Sequence, residues 1–315
     1  MADVIDTHGT GTVAELPVDR AKATTSPGVA IDTALRYLLP ALVILVFLAA
    51  WQFVPKMLGF SSLELPTLTD TMADLRDYWS DIGSSLLVTV QDAIAGFLIG
   101  NLLAILGASA FVWFRNLERA FYPIAIIIQT IPIIVYAPIF VLIFYKVSFL
   151  RDHPEAPSVV LVAVLITFFP TLVNMTVGLK SVDPRVYELL RLLNASKWQI
   201  FLKLRFPSAI PFLFSSLKIT STLAFVGAIV GEFTVNGGFN PIGQLLDGLG
   251  LHEMLGFPTN PSGSRGIGAL YWNLYSQLET PAIFASVFAV SVLSVLFFGL
   301  MVLLERWVVP WRNSV

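Results

Sequence analysis

No cysteine occurs in the chain, which excludes disulfides, thiolate metal sites and cysteine nucleophiles and leaves the redox compartment open. Charge is scarce too: Asp, Glu, Lys and Arg make up 13% of the residues, about half the usual share for a soluble domain. The formal net charge of −2 comes without a dense basic face, so there is no case for a nucleic-acid partner. His8, His153 and His252 stand far apart with no acidic cluster beside them, which argues against a metal site. No Gly-x-x-x-x-Gly-Lys-Ser/Thr loop is present, so this chain cannot cradle nucleotide phosphates. The apolar segments contain no paired nucleophile and base. Neither a catalytic residue nor a cofactor is expected.

Apolar surface is abundant instead. Hydrophobic residues reach 56%, and 24 Phe with 7 Trp cannot all hide in a soluble core of this size. A bilayer resolves this by acting as the apolar solvent. Helices that cross it need roughly 20 mostly apolar residues, and windows of that kind fall near 37–54, 86–114, 121–145, 159–177, 212–230 and 283–304. The expectation is an all-α integral membrane protein with six transmembrane helices over 31–315. Residues 1–30, polar and without the layout of a secretory signal, read as a disordered cytoplasmic tail.

The third span carries Pro123, Pro132 and Pro138 and should bend where backbone bonds are lost. Gly96, Gly100, Ala104 and Gly107 give the second span a small-residue stripe suited to close helix approach. Orientation follows from Lys and Arg. With the N-terminus inside, thirteen fall on the cytoplasmic side (Arg115, Arg119, Lys180 and Arg185 among them) and five outside: Lys56, Arg76, Lys146, Arg151 and Arg265. Six spans then leave both termini in the cytoplasm.

The loop between the fourth and fifth spans holds the most local information. Asp183 before Pro184 is an N-cap followed by proline at the first helical position. Val186, Leu189, Leu190 and Leu193 fall on one face at helical spacing. Asn194 stands where the helix should stop, a residue tolerant of the left-handed conformation. Ser196 with Gln199 forms a capping box for a second short helix, which Pro207 should close. An apolar face on such a loop either packs on its own spans or docks on another protein.

The loop resembles the signature segment of binding-protein-dependent ABC importer permeases: Glu-Ala-Ala, three residues, Gly, nine residues, Ile-x-Leu-Pro. Here Glu188, Leu189 and Leu190 fill the first places, Asn194 the Gly place, and Leu204-Arg205-Phe206-Pro207 the end. Leu replaces Ala twice, and Asn replaces Gly. Phe168-Phe169-Pro170, Asn174, Gly178-Leu179, Thr130-Ile131-Pro132 with Pro138, Gly96-Phe97 and Glu232 extend the resemblance to the branch that imports nitrate, sulfonates, taurine and related small solutes. Asp92 stands where relatives of that branch usually carry Arg.

The resemblance implies a separate cytoplasmic ATPase dimer, an external solute-binding protein and a second permease subunit, most simply an identical one. Helix 183–193 would be the coupling helix. Val186, Tyr187, Leu190 and Leu193 would supply apolar contact, and Glu188 and Arg191 orientation. Polar residues inside the spans are candidates for the pathway lining: Gln91, Asp92, Gln129, Asn174, Ser215, Lys218, Ser221 and Thr222. Asp92 could alternatively pair with Lys218 or sit near the outer surface. Basic residues within the spans are almost confined to Lys218, which disfavours a dedicated anion site. Segment 232–281 is a long outer loop for this branch, with turn signals at Gly237-Gly238, Asn240-Pro241, Asn260-Pro261 and Gly263; it either docks the binding protein or is an insertion that caps the outer mouth. The alternative from another class is an ion-coupled secondary transporter using Asp92 or Glu232. Such carriers show internal repeats, and none is clear here.

Overall fold

The computed structural model describes residues 27–147, 155–235 and 266–310, and among them all regular structure is helical. The chain divides after Trp51 into two compact units. The first holds most of α1 (Pro27–Met57), where Phe47 and Trp51, one turn apart, tilt their rings together. The second unit carries everything else.

It begins with α2 (Leu68–Asp77), a short polar helix that sequence reasoning did not anticipate. Its signal was present: Thr67 and Asp70 form a reciprocal capping box, with Thr67 N–H donating to Asp70 Oδ2 at 3.1 Å. Gln52 fastens this start by accepting from the Thr69 amide at 3.1 Å. Burial pushes the Asp74 carboxyl of α2 above its usual range, and Glu279, Asp77 and Asp70 push it the same way.

Then follow α3 (Trp79–Trp113), α4 (Arg115–Thr130), a single 3-10 turn at Ile133–Val135, α5 (Tyr136–Phe144), α6 (Glu155–Lys180), α7 (Pro184–Leu192), α8 (Lys197–Ile200), α9 (Phe206–Val235), α10 (Ile267–Ser276) and α11 (Thr280–Val308). Five helical stretches are long and apolar enough to cross a membrane, and α4 with the segment 133–144, bent by 90°, makes a sixth if taken as one span. Windows 37–54, 159–177, 212–230 and 283–304 fall within single helices that run longer at their ends; 86–114 passes the end of α3 by one residue, and 121–145 takes in part of α4, the break and α5. At 35 residues α3 is about 52 Å long, well over the hydrocarbon thickness, so its ends lie beyond it.

Helix α6 is the centre of the bundle, packed most extensively on α9 and next on α3. Small residues explain the closeness. Ala163 of α6 is wedged between Gly96 of α3 and Gly227 of α9: a methyl added at Gly96 would land on the Ala163 Cβ, and one at Gly227 would lie 2.8 Å from the Ala163 Cα. Gly231 repeats the contact one turn on, 3.0 Å from the Val159 Cα. The stripe in the second span is therefore a packing seam. Asn101 locks the same three helices by accepting from Thr171 of α6 at 2.5 Å and from Thr220 of α9 at 3.2 Å.

Aromatic and aliphatic side chains fill the bundle on either side of this seam. One cluster joins Phe97, Phe225, Ile267 and Val290; the other joins Phe111, Phe169, Met175 and Phe201. Pro207 does not close the short helix as expected. The chain runs from α8 through a five-residue π turn, Phe201–Arg205, straight into α9. The wider turn accommodates a proline, which cannot donate to the α-helical ladder. Segment 232–281 splits: Glu232 lies in α9, α10 begins at Ile267, and Gly237-Gly238, Asn240-Pro241, Asn260-Pro261 and Gly263 lie outside the described residues, as do the three histidines.

Candidate functional site

Two regions carry the candidate residues, and the first is the loop from α6 to α9. Asp183 caps α7 by accepting from the Arg185 amide at 2.8 Å, with Pro184 at the first helical position. Asn194 takes the left-handed conformation, φ 56°, and ends the helix as expected. Ser196 and Gln199 form the reciprocal capping box of α8. Every local signal in this stretch is realised except the stop at Pro207.

The loop is braced rather than free. Arg205 lies over the Tyr187 ring at 5.5 Å, and Trp198 stacks on Phe201 at 5.7 Å while both meet Trp113 at the end of α3. Lys180, at the end of α6, pairs with Glu118 of α4. Tyr187, under Arg205, is half-buried, and so is Leu190. What faces out is Val186, Leu189 and Leu193, with Leu192 beside them at 80% exposure. Glu188 and Arg191 are exposed as well. The outward apolar face is thus Val186, Leu189 and Leu193, a spacing of three and four residues, with Leu190 half-buried.

The second region is the break in the third apolar segment. Pro123 sits inside α4 without breaking it; the helix ends at Thr130, and Ile131 and Pro132 take extended backbone before the 3-10 turn. A cavity of about 380 Å³ opens there, walled by Gln129, Thr130, Pro132, Tyr136, Phe169 and Leu223 among others. Tyr136 donates to the Ile128 carbonyl at 2.6 Å and so bridges the break. Tyr136 and Leu223 were not singled out from sequence; the signal for Tyr136 was its place just after Pro132.

Of the eight polar residues expected to line a pathway, Gln129 alone is among the residues lining this cavity. Ser215, Ser221 and Thr222 donate to carbonyls of their own helix, those of Pro211, Lys218 and Ile219, at 2.7–2.9 Å. Asn174 does the same toward Pro170 at 3.0 Å, and buried Gln91 toward Leu87 at 3.1 Å. Lys218 does not meet Asp92. It donates to Glu305 of α11 at 2.8 Å. The reason is distance along α9: Glu232, the neighbour of Asp92, is fourteen residues beyond Lys218, about 21 Å of helix.

Asp92 and Glu232 are both fully buried, at the end of the bundle away from α7. Glu232 Oε2 accepts from the Thr89 hydroxyl and from the Gly268 amide, each at 2.9 Å, and Thr89 accepts from the Ile267 amide at 2.9 Å. Together they cap the start of α10 and fasten it to α3 and α9. Gly266, at φ +84°, has room for no side chain, since a Cβ would fall on the Glu232 carboxyl. This node is a joint between helices.

Residues 96–310 match the family model described as binding-protein-dependent transport system inner membrane component. The formylaminopyrimidine transport permease protein of Halalkalibacterium halodurans is 32% identical, over 87% of this chain and 96% of its own. The riboflavin transport system permease protein of Chloroflexus aurantiacus is 28% identical, over 86% and 89%. A putative aliphatic sulfonates transport permease protein of Bacillus subtilis is 24% identical, over 88% and 87%. The loop, the helical bundle and these relatives agree: the chain belongs to the inner membrane components of binding-protein-dependent transport systems, and it is a permease subunit of an ABC importer.

Proposed function

We propose that α7 is the coupling helix of this permease, lying on the cytoplasmic side and seated in a cleft of a separate ATPase subunit. The observation that carries it is the outward face of Val186, Leu189 and Leu193 on a loop that capping and ring contacts hold rigid. Exposed apolar surface on a braced helix suits docking in a groove of a partner. Glu188 and Arg191, exposed on the same helix, would fix its orientation.

Both termini lie in the cytoplasm on this reading, as the distribution of Lys and Arg indicates. ATP is hydrolysed in the partner, because this chain has no phosphate-binding loop. Two permease subunits, most simply identical, surround the pathway, and an external binding protein delivers a small solute. Segment 232–281, on the opposite side, forms part of the surface that receives it. Closure of the ATPase dimer pulls α7 and shifts the pathway between inward and outward states, each nucleotide state favouring one of them. The relatives' names span formylaminopyrimidine, riboflavin and sulfonates, so the solute class is a small organic or inorganic compound.

The test is ATP-dependent uptake by the complete importer in proteoliposomes. Leu189→Asp puts a charge on the outward face and should abolish uptake and the copurification of the ATPase, with the permease still monodisperse. Uptake at the unsubstituted rate would overturn the assignment.

A further inference from the structure

The two ends of α3 present the same aromatic surface to the outside but opposite charge. We infer that the face around Trp113 and Trp198, at the end that carries α7, holds the headgroup of an anionic phospholipid. The inference rests on the chain spanning a membrane and not on what α7 docks into.

Helix α3 begins and ends on a tryptophan, Trp79 and Trp113, and both are exposed. Leu98, Leu102 and Leu106, also exposed, mark the outward side of α3, opposite the seam of Gly96 and Gly100. Trp113 lies on that side two turns past Leu106, about 10 Å along the axis. An indole at the end of an outward apolar row suits the boundary between hydrocarbon and headgroups. The exposed ring of Trp198, from α8, lies 5.9 Å from that of Trp113, and buried Phe201 backs both.

Charge separates the two ends. Trp79 is flanked by Asp77 and Asp81, both exposed. Around Trp113 and Trp198, the stretches 109–117 and 195–207 contain no Asp or Glu and bring exposed Arg115, Lys197 and Lys203. Among the described residues, none of these three cations pairs with a carboxylate, and Glu118, the acid nearest Arg115 in sequence, is taken by Lys180. The indole N–H groups of Trp113 and Trp198 donate to nothing among the described residues, whereas that of Trp272, at the other end of the bundle, is spent on the Phe233 carbonyl at 3.0 Å.

Three cations from two elements and two open indole donors match a phosphodiester. The leucine row directly below them favours a ligand that carries acyl chains beneath its phosphate. Lys197 opens α8, three residues after Asn194, so a lipid held there ties the loop bearing α7 to the bilayer.

For the test, the full-length chain is placed in nanodiscs of equal parts dioleoylphosphatidylglycerol and dioleoylphosphatidylcholine. Lipids retained on release into detergent are then counted by native mass spectrometry. Phosphatidylglycerol should be preferred about tenfold or more, and Lys197→Gln and Lys203→Gln should each cut that preference about fivefold, the factor for about 1 kcal/mol per cation near an anionic surface. Both positions are exposed, and the capping box of α8 runs through Ser196 and Gln199, so these variants should fold. Arg76→Gln, near Trp79, should change nothing. Equal retention of the two lipids, or an equal loss in Arg76→Gln, overturns the proposal. So does an undiminished preference in the Lys197→Gln, Lys203→Gln double variant; loss of ATPase copurification alongside it would assign these cations to a protein interface. Displacement of phosphatidylglycerol by equimolar glycerol phosphate would assign the face to a soluble anion and overturn it too. No ATPase takes part in the retention measurement, so its failure leaves the docking of α7 standing, and failure of the uptake test leaves the lipid site standing.

Discussion

Substituting alanine for Gly96 or Gly227 tests the close packing of α6 from both flanks with one added methyl each. At Gly227 the methyl would lie 2.8 Å from the Ala163 Cα and 2.8 Å from the Ile166 Cγ2. Carbon atoms rest about 3.5–4.0 Å apart, so the helices must part by about 0.7–1.2 Å. Overpacking of this kind costs about 1–3 kcal/mol, and the better helix propensity of Ala returns up to about 1. With the full return, the net loss is about 0–2 kcal/mol, against a gain of up to about 1 where the added methyl meets nothing. A single-transition melt of a chain this size should fall by about 2–4 °C per kcal/mol, read by intrinsic fluorescence in nanodiscs. Gly96→Ala should lose a similar amount, because its methyl would meet the Ala163 Cβ. The two differ in rescue. Ala163→Gly removes that Cβ and should restore part of the Gly96→Ala loss, leaving the Ala163 carbonyl carbon at 3.0 Å, whereas the Ala163 Cα and Ile166 Cγ2 that face Gly227 at 2.8 Å stay in place. Gly299→Ala is the control, since a Cβ there meets nothing within 4 Å, and its melt should be unchanged or higher. The packing argument fails if Gly227→Ala melts with Gly299→Ala, or if Ala163→Gly rescues both partners equally.

Breaking the Lys218–Glu305 pair by Glu305→Leu alone should destabilise by about 3 kcal/mol through the partly buried ammonium left behind, while adding Lys218→Met should recover most of it in the same melt. Asp183→Ala removes the cap of α7; hydrogen exchange at the Arg185 amide should quicken about fivefold for a cap worth about 1 kcal/mol. Asn194→Gly should leave α7 intact or slightly steadier and Asn194→Val should fray it, read by proteolysis within 181–197, since φ of 56° suits Gly best. Asp74 bears a raised pKa in the folded chain, so protonation favours folding and this advantage is lost as pH rises through the carboxylate range; Asp74→Asn should raise the melting temperature at about pH 7 and leave it unchanged at about pH 3.5.

Local signals in the sequence were enough for the loop. Asp183-Pro184, Asn194 and Ser196 with Gln199 each act within four residues, and each appears as read. The seam of Gly96 and Gly100 was legible because side-chain size alone sets how near two helices can come. Partners across the bundle were not legible. Nothing near Lys218 points to Glu305, 87 positions away, and nothing near Thr89 points to Glu232, 143 away. The bend in the third apolar segment was readable as a consequence of proline, yet three prolines offered three places. Pro132 marks the break, since the residue before it, Ile131, takes the extended conformation that proline imposes. Which residues of α7 are most exposed was not legible either: Tyr187 and Leu190 are half-buried while Val186, Leu189 and Leu193 are exposed, and Arg205, from later in the chain, lies over Tyr187.

Ala163 gripped on both flanks has a mechanical consequence. Helices α3, α6 and α9 form a slab in which sliding is blocked, because any axial shift would drive methyls into backbone. Both tethers of α7 run into that slab, one through the end of α6 and the other through the π turn into α9. A push arriving at α7 has no internal slack to consume it. On the proposed docking of α7, α6 and α9 would therefore move together, and the elbow at Ile131 and Pro132, where the helical ladder is interrupted, is the place in the third apolar segment where the chain can bend.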